Sequence, residues 1–197
     1  MTELNLDGYT DLPAGKIAAV VTYLEMRNKP AAAIADPLAL RAVAAPDLAW
    51  YRAFYAAIGL EWLWTSRLMM SDETLAGILH RPGNELFVAE EGGAEIGIVE
   101  LDRRDPADVE ISFFGLKPQA TGQGLGPRMM VAALARAWQP ETRRVWLHTC
   151  TLDHPGALNF YRRCGFVPYR RAVEVMDDPR LTGRIPHEAG PRIPLIG

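Results

Sequence analysis

A glycine-rich segment, GQGLG at residues 122–126, has the residue types and spacing to bind an anion. It follows an apolar run rich in β-branched and aromatic residues, which is typical of a buried strand, and it precedes apolar residues at helical spacing. Glycines let the backbone turn so that several N–H groups face one point, and a helix N-terminus adds partial positive charge there. The order of strand, glycine loop and helix therefore predicts a phosphate cradle. The alternative is a tight turn that binds nothing.

Two cysteines and two nearby histidines are the other candidates for chemistry. Cys150 ends a predicted strand and would suit a covalent thioester mechanism, although a buried thiol is generally inert. His148 and His154 are six residues apart with no third ligand in view, so we expect no metal site. Cys150 and Cys164 form neither a disulfide framework nor a paired-cysteine metal motif, which favours a reducing cytoplasm.

Composition and charge restrict the class of protein. A chain of 197 residues that is 49% hydrophobic can form one domain with a sizeable core, and we expect a single domain over residues 1–197. The net charge of −3 argues against general binding to nucleic acid or to an anionic membrane surface. No apolar run approaches the ~20 residues of a membrane span. The acidic, polar N-terminus does not resemble a signal peptide, so we expect a cytoplasmic protein without nucleic-acid or membrane partners.

The elements that must position these residues alternate between strands and helices. Alternating apolar residues predict strands, and apolar residues three or four apart predict helices. Ser71 is the predicted N-cap of one helix, with Asp72 and Glu73 as favourable negative charge in its first turn. The predicted strands are residues 16–26, 86–90, 95–101, one that begins at 109, 143–150 and 166–176, and the predicted helices follow Pro46, Ser71, the glycine loop and Pro155.

This order of elements predicts the fold class. The strands on either side of Gly92 and Gly93 indicate an antiparallel hairpin, while the helix after the glycine loop is a crossover connection. Antiparallel strands combined with a crossover helix predict a mixed α/β sheet rather than a doubly wound nucleotide-binding fold. Residues 178–197 contain several prolines and glycines and predict an irregular C-terminal tail.

Three stretches of the sequence resemble the GCN5-related N-acetyltransferase (GNAT) superfamily in their order and spacing. The first is TGQGLG at residues 121–126, three residues after Pro118, which is similar to the family's loop pattern. The second is ALNFYRRCGF at residues 157–166, which resembles the family's helix with a tyrosine at the position of Tyr161. The third is the strand in which Glu110 stands where many members carry a carboxylate. The resemblance implies a mixed, mostly antiparallel sheet of six or seven strands flanked by about four helices.

The resemblance also implies that acetyl-CoA is the acyl donor. Its pantetheine arm would pair with the backbone of Phe114 and Leu116 like an added strand, and the Leu116 N–H would polarise the thioester carbonyl. The loop residues implied to hold the pyrophosphate are Thr121, Gly122, Gln123, Gly124, Leu125 and Gly126.

Two positions depart from the family's pattern. Thr121 replaces an Arg or Gln near the pyrophosphate, and His154 stands where the family often has the Asn that helps to hold the pantetheine arm. Lys117 and Arg128 flank the loop and are candidates to supply the missing positive charge.

Acyl transfer to an amine requires a base, because an alkylammonium with a pKa near ~10.4 leaves only about one molecule in 2,500 neutral at pH 7. By the resemblance, Glu110 would be this base, directly or through a water, and Tyr161 would donate a hydrogen bond to the departing thiolate. The alternatives are that Glu110 faces solvent or pairs with an arginine, and that Tyr161 is a core aromatic.

The sequence does not identify the acceptor of the acyl group. We expect a small-molecule primary amine, because the sequence offers no obvious groove for a basic peptide, although a protein amine stays an alternative. Arg67, Arg170 and Arg171 are candidates to meet an acceptor carboxylate, or they are ordinary surface charges. A homodimer is left open, as are two other functions: a CoA-binding module without catalysis and a purely structural protein.

Overall fold

The computed structural model describes residues 4–31 and 36–197. Over these ranges the chain forms one seven-stranded sheet in the order β2-β3-β4-β5-β6-β1-β7. All neighbouring strands are antiparallel except β5 and β6, which are parallel, so the predicted mixed α/β sheet is confirmed. The strands are β1 (Lys16–Met26), β2 (Ala39–Ala42), β3 (Asn84–Glu91), β4 (Ala94–Asp102), β5 (Asp108–Leu116), β6 (Arg144–Cys150) and β7 (Val167–Asp177).

Helices cover both faces of the sheet. Ile98 packs with the helices on one face and Val99 packs on the other, because successive strand residues point to opposite sides. The helices are α1 (Leu48–Gly59), α2 (Ser66–Met69) and α3 (Asp72–Leu79) towards the first face, and α4 (Leu125–Ala137) and α5 (Ala157–Arg163) on the second. The described residues thus contain five α-helices, where the resemblance implied about four.

Short polar side chains define where the first helices begin. The Asp47 carboxylate accepts a hydrogen bond from the Trp50 N–H at 2.8 Å, which starts α1. The Ser71 hydroxyl accepts from the Thr74 N–H at 3.2 Å, so the predicted N-cap of α3 is confirmed. Each cap satisfies a helix N–H that has no partner within its own helix.

The two parallel strands pair over a short distance only. Residues 108–110 of β5 lie opposite residues 144–146 of β6, and beyond Glu110 and Trp146 the strands separate. β5 continues to Leu116 while pairing with β4 on its other side. One edge of β5 is therefore open over its last six residues, and a gap opens between β5 and the end of β6.

The C-terminal tail, residues 178–197, contains a 3₁₀ turn at Pro179–Thr182 and otherwise runs over the surface in turns and extended segments. It is nevertheless tightly anchored, because the Arg180 guanidinium is 2% exposed and donates to both carboxylate oxygens of Asp178, at 2.9 and 2.6 Å. The same side chain also donates to the Ile193 carbonyl at 2.7 Å. Ile185 and Ala189 pack in a small apolar cluster with Leu63 and Ile17.

The buried Asp178–Arg180 pair gives a first prediction. Asp178→Ala leaves a guanidinium buried without its carboxylate, and we expect the free energy of unfolding to fall by about 3–5 kcal/mol. Urea unfolding followed by tryptophan fluorescence measures this change. The control is Asp177→Ala, which removes the neighbouring but exposed partner of Lys16 and should alter stability little. Equal losses in the two variants would contradict the assignment.

Candidate active site

Two clefts meet where β5 and β6 separate. The loop cleft, of about 570 Å³, lies between the glycine loop and α5. The sheet pocket, of about 510 Å³, lies over β5, β6 and β7 beneath α1 and α2. Five residues line both of them: Trp62, Trp64, Phe114, Asp153 and Tyr161.

The glycine loop leaves open space at the start of α4. Gly122 and Gly124 have φ values of +80° and +74°, a conformation that favours glycine, and a Cβ atom added at either would meet nothing within 4 Å. Gly124 is the N-cap of α4, and no side chain in the described part of the chain caps this helix. The first N–H groups of α4 are thus left for another acceptor, which suits an anion.

The structure brings most of the predicted donor-binding residues together. The walls of the loop cleft include Phe114, Leu116, Thr121, Gly122, Gly124, Gly126 and His154. Two predicted residues lie outside this set: Leu125 is buried in the core, and the Gln123 side chain donates to the Gln119 carbonyl at 2.6 Å. His154 lines the cleft with one ring nitrogen engaged, since its Nδ1 accepts from the Gly156 N–H at 3.0 Å.

The expected sources of positive charge beside the loop are engaged elsewhere. The Lys117 ammonium lies 4.2 Å from the centre of the Phe54 ring, and the Arg128 guanidinium is 2.7 Å from the Glu91 carboxylate. Arg163, at the end of α5, lines the loop cleft instead. Sequence alone does not distinguish Arg163 from its neighbour Arg162, because only the position of α5 against the loop separates their roles.

Tyr161 lies at the junction of the two clefts. Its ring is 9% exposed and packs edge-on against Phe114, Phe160 and Phe166, with centroid distances of 6.2, 5.3 and 6.3 Å. Burial raises the pKa of the Tyr161 hydroxyl, and the nearby Asp153 carboxylate raises that pKa further. The phenol therefore stays protonated and can act as a hydrogen-bond donor.

Glu110 lies in the sheet pocket. It is the last residue of β5 that pairs with β6, so the gap between these strands begins beside it. Its Oε1 is 3.4 Å from Nδ1 of His148, so its partner is a histidine rather than an arginine. Hydrogen bonding to Glu110 is the main cause that raises the pKa of His148, and the Asp153 and Glu174 carboxylates add to the effect. This pairing depends on the parallel register of β5 and β6, which the sequence does not reveal.

Asp153 is a functional candidate that the sequence did not single out. Its Oδ1 accepts from Trp64 Nε1 at 2.7 Å, and its Oδ2 accepts from the Thr149 hydroxyl at 2.7 Å and the Cys150 N–H at 2.8 Å. These hydrogen bonds hold the Asp153 carboxylate at the junction of both clefts, and they connect Trp64 to the end of β6.

Cys150 is poorly suited to covalent catalysis. Burial is the main cause that raises the pKa of the Cys150 thiol to about 11, and the negative charge of the Asp153 carboxylate is the second cause. Because the thiolate is the nucleophilic form, this thiol is largely unreactive near neutral pH.

The three candidate arginines occupy different environments. Arg67 is not a surface charge, because it is 7% exposed and its Nη2 donates to the buried carboxylate of Glu100. The Arg170 guanidinium lies 4.7 Å from the centre of the Tyr23 ring, and Arg171 is exposed.

The C-terminal tail reaches the edge of the site. Arg192 Nη1 donates to the Asp153 carbonyl at 3.2 Å, and its guanidinium lies 5.7 Å from the Trp62 ring centre. The Gly190 N–H donates to the Leu60 carbonyl at 3.0 Å. The tail is thus bonded to the turns that carry Trp62 and Asp153.

A sequence comparison identifies the family. The model of the GNAT acetyltransferase family matches residues 49–166, which is more than half of the chain and includes Glu110, the glycine loop and Tyr161. The chain belongs to the GNAT acetyltransferase family. Among curated proteins, none is significantly similar to it.

Solved structures share the GNAT fold at low sequence identity. A functionally unknown conserved protein from Staphylococcus epidermidis has a TM-score of 0.62 at 19% identity over 83% of this chain and 63% of its own. A GCN5-related N-acetyltransferase from Kribbella flavida has a TM-score of 0.54 at 17% identity, over 86% and 63%. An IAA acetyltransferase from Bacillus cereus has a TM-score of 0.52 at 19% identity, over 68% and 79%. The chain thus spans less than two thirds of the length of the first two proteins.

Within residues 4–31 and 36–197, no group of three or more His, Cys, Asp or Glu side chains could hold a metal ion. In the same ranges, no helix combines the length and apolarity needed to cross a bilayer.

The contact of Glu110 with His148 gives a second prediction, concerning stability and pH. Because the folded state raises the pKa of His148, the contact stabilises the fold fully below the unfolded pKa of ~6.5, and the effect is lost as pH rises through the folded value. His148→Gln should therefore lower the free energy of unfolding near pH 5.5, by less than about 1 kcal/mol because the pair is partly exposed, and hardly at all near pH 9. Urea titrations at both pH values test this, and equal losses would contradict it.

Proposed function

We propose that the chain is an acetyl-CoA-dependent N-acetyltransferase that acts on the primary amine of a small molecule by direct transfer in a ternary complex. Family membership supports acyl transfer in general. The observation that supports the proposed donor, acceptor and direct transfer is that two clefts meet at Tyr161. One cleft is built around the glycine loop, and the other contains Glu110. Donor and acceptor can therefore approach the same point from opposite sides.

The loop cleft fits the donor. The open N-terminus of α4 and the left-handed Gly122 and Gly124 suit the pyrophosphate of CoA, and Arg163 on the cleft wall is the candidate cation. The open edge of β5 at Phe114 and Leu116 suits the pantetheine amides, which pair as an added strand does.

The residues at the junction suit the chemistry of transfer. Glu110 first takes one proton from the acceptor ammonium, directly or through a water, and the neutral nitrogen then forms a bond to the thioester carbonyl carbon. The Leu116 N–H donates to the carbonyl oxygen as negative charge develops there. The carbon–sulfur bond then breaks while the Tyr161 hydroxyl donates a hydrogen bond to the departing sulfur. The second proton of the attacking nitrogen passes to that sulfur, so CoA leaves as the thiol and Tyr161 stays protonated.

Direct transfer is preferred over a covalent enzyme intermediate. The Cys150 thiol, with its pKa raised to about 11, is a weak nucleophile at neutral pH. An acetyl adduct on the intact protein, observed by mass spectrometry after mixing with acetyl-CoA alone, would overturn this part of the proposal.

A second candidate function is a CoA-binding module without catalysis. It is suggested by Thr121 and His154, two residues that depart from the family's pattern. The two functions are distinguished by incubating the protein with acetyl-CoA and a broad panel of primary amines and by measuring release of free thiol. Amine-dependent release supports the transferase. Binding of acetyl-CoA without thiol release would favour the module, and absence of binding would reject both.

Glu110 gives a third prediction. Glu110→Gln keeps the shape of the side chain but removes the base, so we expect kcat to fall by about 10²–10⁴-fold, most strongly at low pH where less of the amine is neutral. The measurement is a pH–rate profile between about pH 6 and pH 9. Glu95→Gln, which changes an exposed partner of Arg41 on β4, is the control and should leave the profile unchanged. Identical profiles for the wild type and Glu110→Gln would show that Glu110 is not the base.

Arg163 gives a fourth prediction. If it replaces the cation that the family places beside the loop, Arg163→Ala should weaken acetyl-CoA binding about tenfold, which is the loss of one charge-assisted hydrogen bond. Isothermal titration at low and moderate salt measures the dissociation constant. Arg162→Ala is a matched control, since Arg162 is the adjacent exposed arginine and lies outside the cleft wall. Equal weakening in both variants would indicate a general charge effect instead.

A further inference from the structure

The sheet pocket has walls of opposite charge. Arg67, Arg81 and Arg104 line the side nearer β4. Asp153 and Glu174 line the side formed by the end of β6 and by β7. Glu110 lies between these sides on β5, so the pocket presents a cationic region and an anionic region to one ligand.

The cationic wall has more guanidinium groups than carboxylates. Arg81 Nη2 and Arg104 Nε both donate to Asp102, at 2.8 and 2.9 Å. Arg67 donates to Glu100, whose other carboxylate oxygen accepts from the Tyr51 hydroxyl at 2.8 Å. Three arginines therefore face two carboxylates on this wall, and the one formal positive charge in excess belongs to Arg81 and Arg104, which share Asp102.

Arg67 is the arginine best placed to receive a ligand. It is more than nine-tenths buried, lines the pocket, and lies with its guanidinium carbon 5.0 Å from the centre of the Phe113 ring. Its Nε–H has no hydrogen-bond partner among the residues that the structure describes, and the same holds for Arg81 Nε. A buried N–H group without a partner is unfavourable, so a ligand oxygen that supplies one is favoured.

The position of Arg67 matches the site of transfer. Phe113, beneath the guanidinium, packs against Trp64 with ring centroids 5.6 Å apart, and Trp64 lines both clefts. An anion on Arg67 would thus lie a short distance from the junction. The planar guanidinium fits the two oxygens of a carboxylate, whereas the anionic opposite wall disfavours a more highly charged group.

We propose that the acceptor is an amino acid, with its carboxylate bound by Arg67 and its amine directed towards Glu110. The aromatic lining from Tyr55, Trp64 and Phe113 suits an apolar or aromatic side chain. This inference rests on the proposed N-acetyltransferase function and names its acceptor class.

The test compares matched acceptors on the wild-type protein. Phenylalanine is compared with phenylalaninamide and phenethylamine, and leucine with leucinamide and isopentylamine, with thiol release from acetyl-CoA as the readout. We expect kcat/KM to be at least tenfold higher for the two amino acids. Equal or higher values for the amides and amines would overturn the inference and leave the proposed function intact.

A binding measurement separates the inference from catalysis. Isothermal titration of the CoA-loaded protein with phenylalanine and with phenethylamine should give tighter binding for the amino acid. This result would support the carboxylate site even if no acceptor is acetylated. A lack of acetylation would reject the proposed function and not the carboxylate site. Equal binding of both compounds, or tighter binding of the amine, would overturn the carboxylate site.

Variants of Arg67 test the residue itself. Arg67→Lys keeps the charge near Glu100 but loses the planar donor pair, and Arg67→Met combined with Glu100→Gln removes the pair without leaving a buried carboxylate unpaired. Both should raise KM for phenylalanine at least tenfold and lower the ratio of kcat/KM for phenylalanine to kcat/KM for phenethylamine at least tenfold. Acetyl-CoA binding serves as the check of folding. An unchanged preference for the amino acid in a folded variant would exclude Arg67 as the anchor.

Discussion

The short pairing of β5 with β6 is the constraint on which the rest of the structure depends. Three residues of each strand pair in parallel, and the strands then separate. Backbone N–H and C=O groups along the open edge of β5 need partners, and within a sheet a neighbouring strand would supply them. The separation therefore produces both clefts at once, and it creates an edge suited to an extended ligand with its own amide groups.

Aromatic packing on both faces holds the gap open. Phe114 and Phe160 stack at 5.8 Å on one face, while Tyr55 meets Phe113 edge-on at 5.0 Å on the other. Consecutive residues of β5 thus anchor the strand to α5 and to α1 in turn. Asp153 also ties Trp64 to the end of β6, so ring contacts and hydrogen bonds hold both sides of the gap.

The sequence predicts what local patterns determine and misses what depends on register. β1 has the bounds that its alternation predicts, and Ser71 caps α3 because an N-cap is a short-range interaction. β2 has only four residues and mostly exposed side chains, so it carries no recognisable pattern. From the sequence alone, Arg67 is indistinguishable from a surface charge, because its partner Glu100 is 33 residues away on another element. The contact between Glu110 and His148 likewise depends on a parallel register that the sequence does not encode locally.

The anchored C-terminal tail has a consequence for how this site can diverge. It lies outside residues 49–166, the part shared with the family, yet Arg192 is bonded to the turn of Asp153 and lies against Trp62. The residues that define the family and the residues that support the pocket wall therefore belong to separate stretches of the gene. Substitutions in the tail can reshape one side of the sheet pocket while the glycine loop and the helix of Tyr161 keep their sequence.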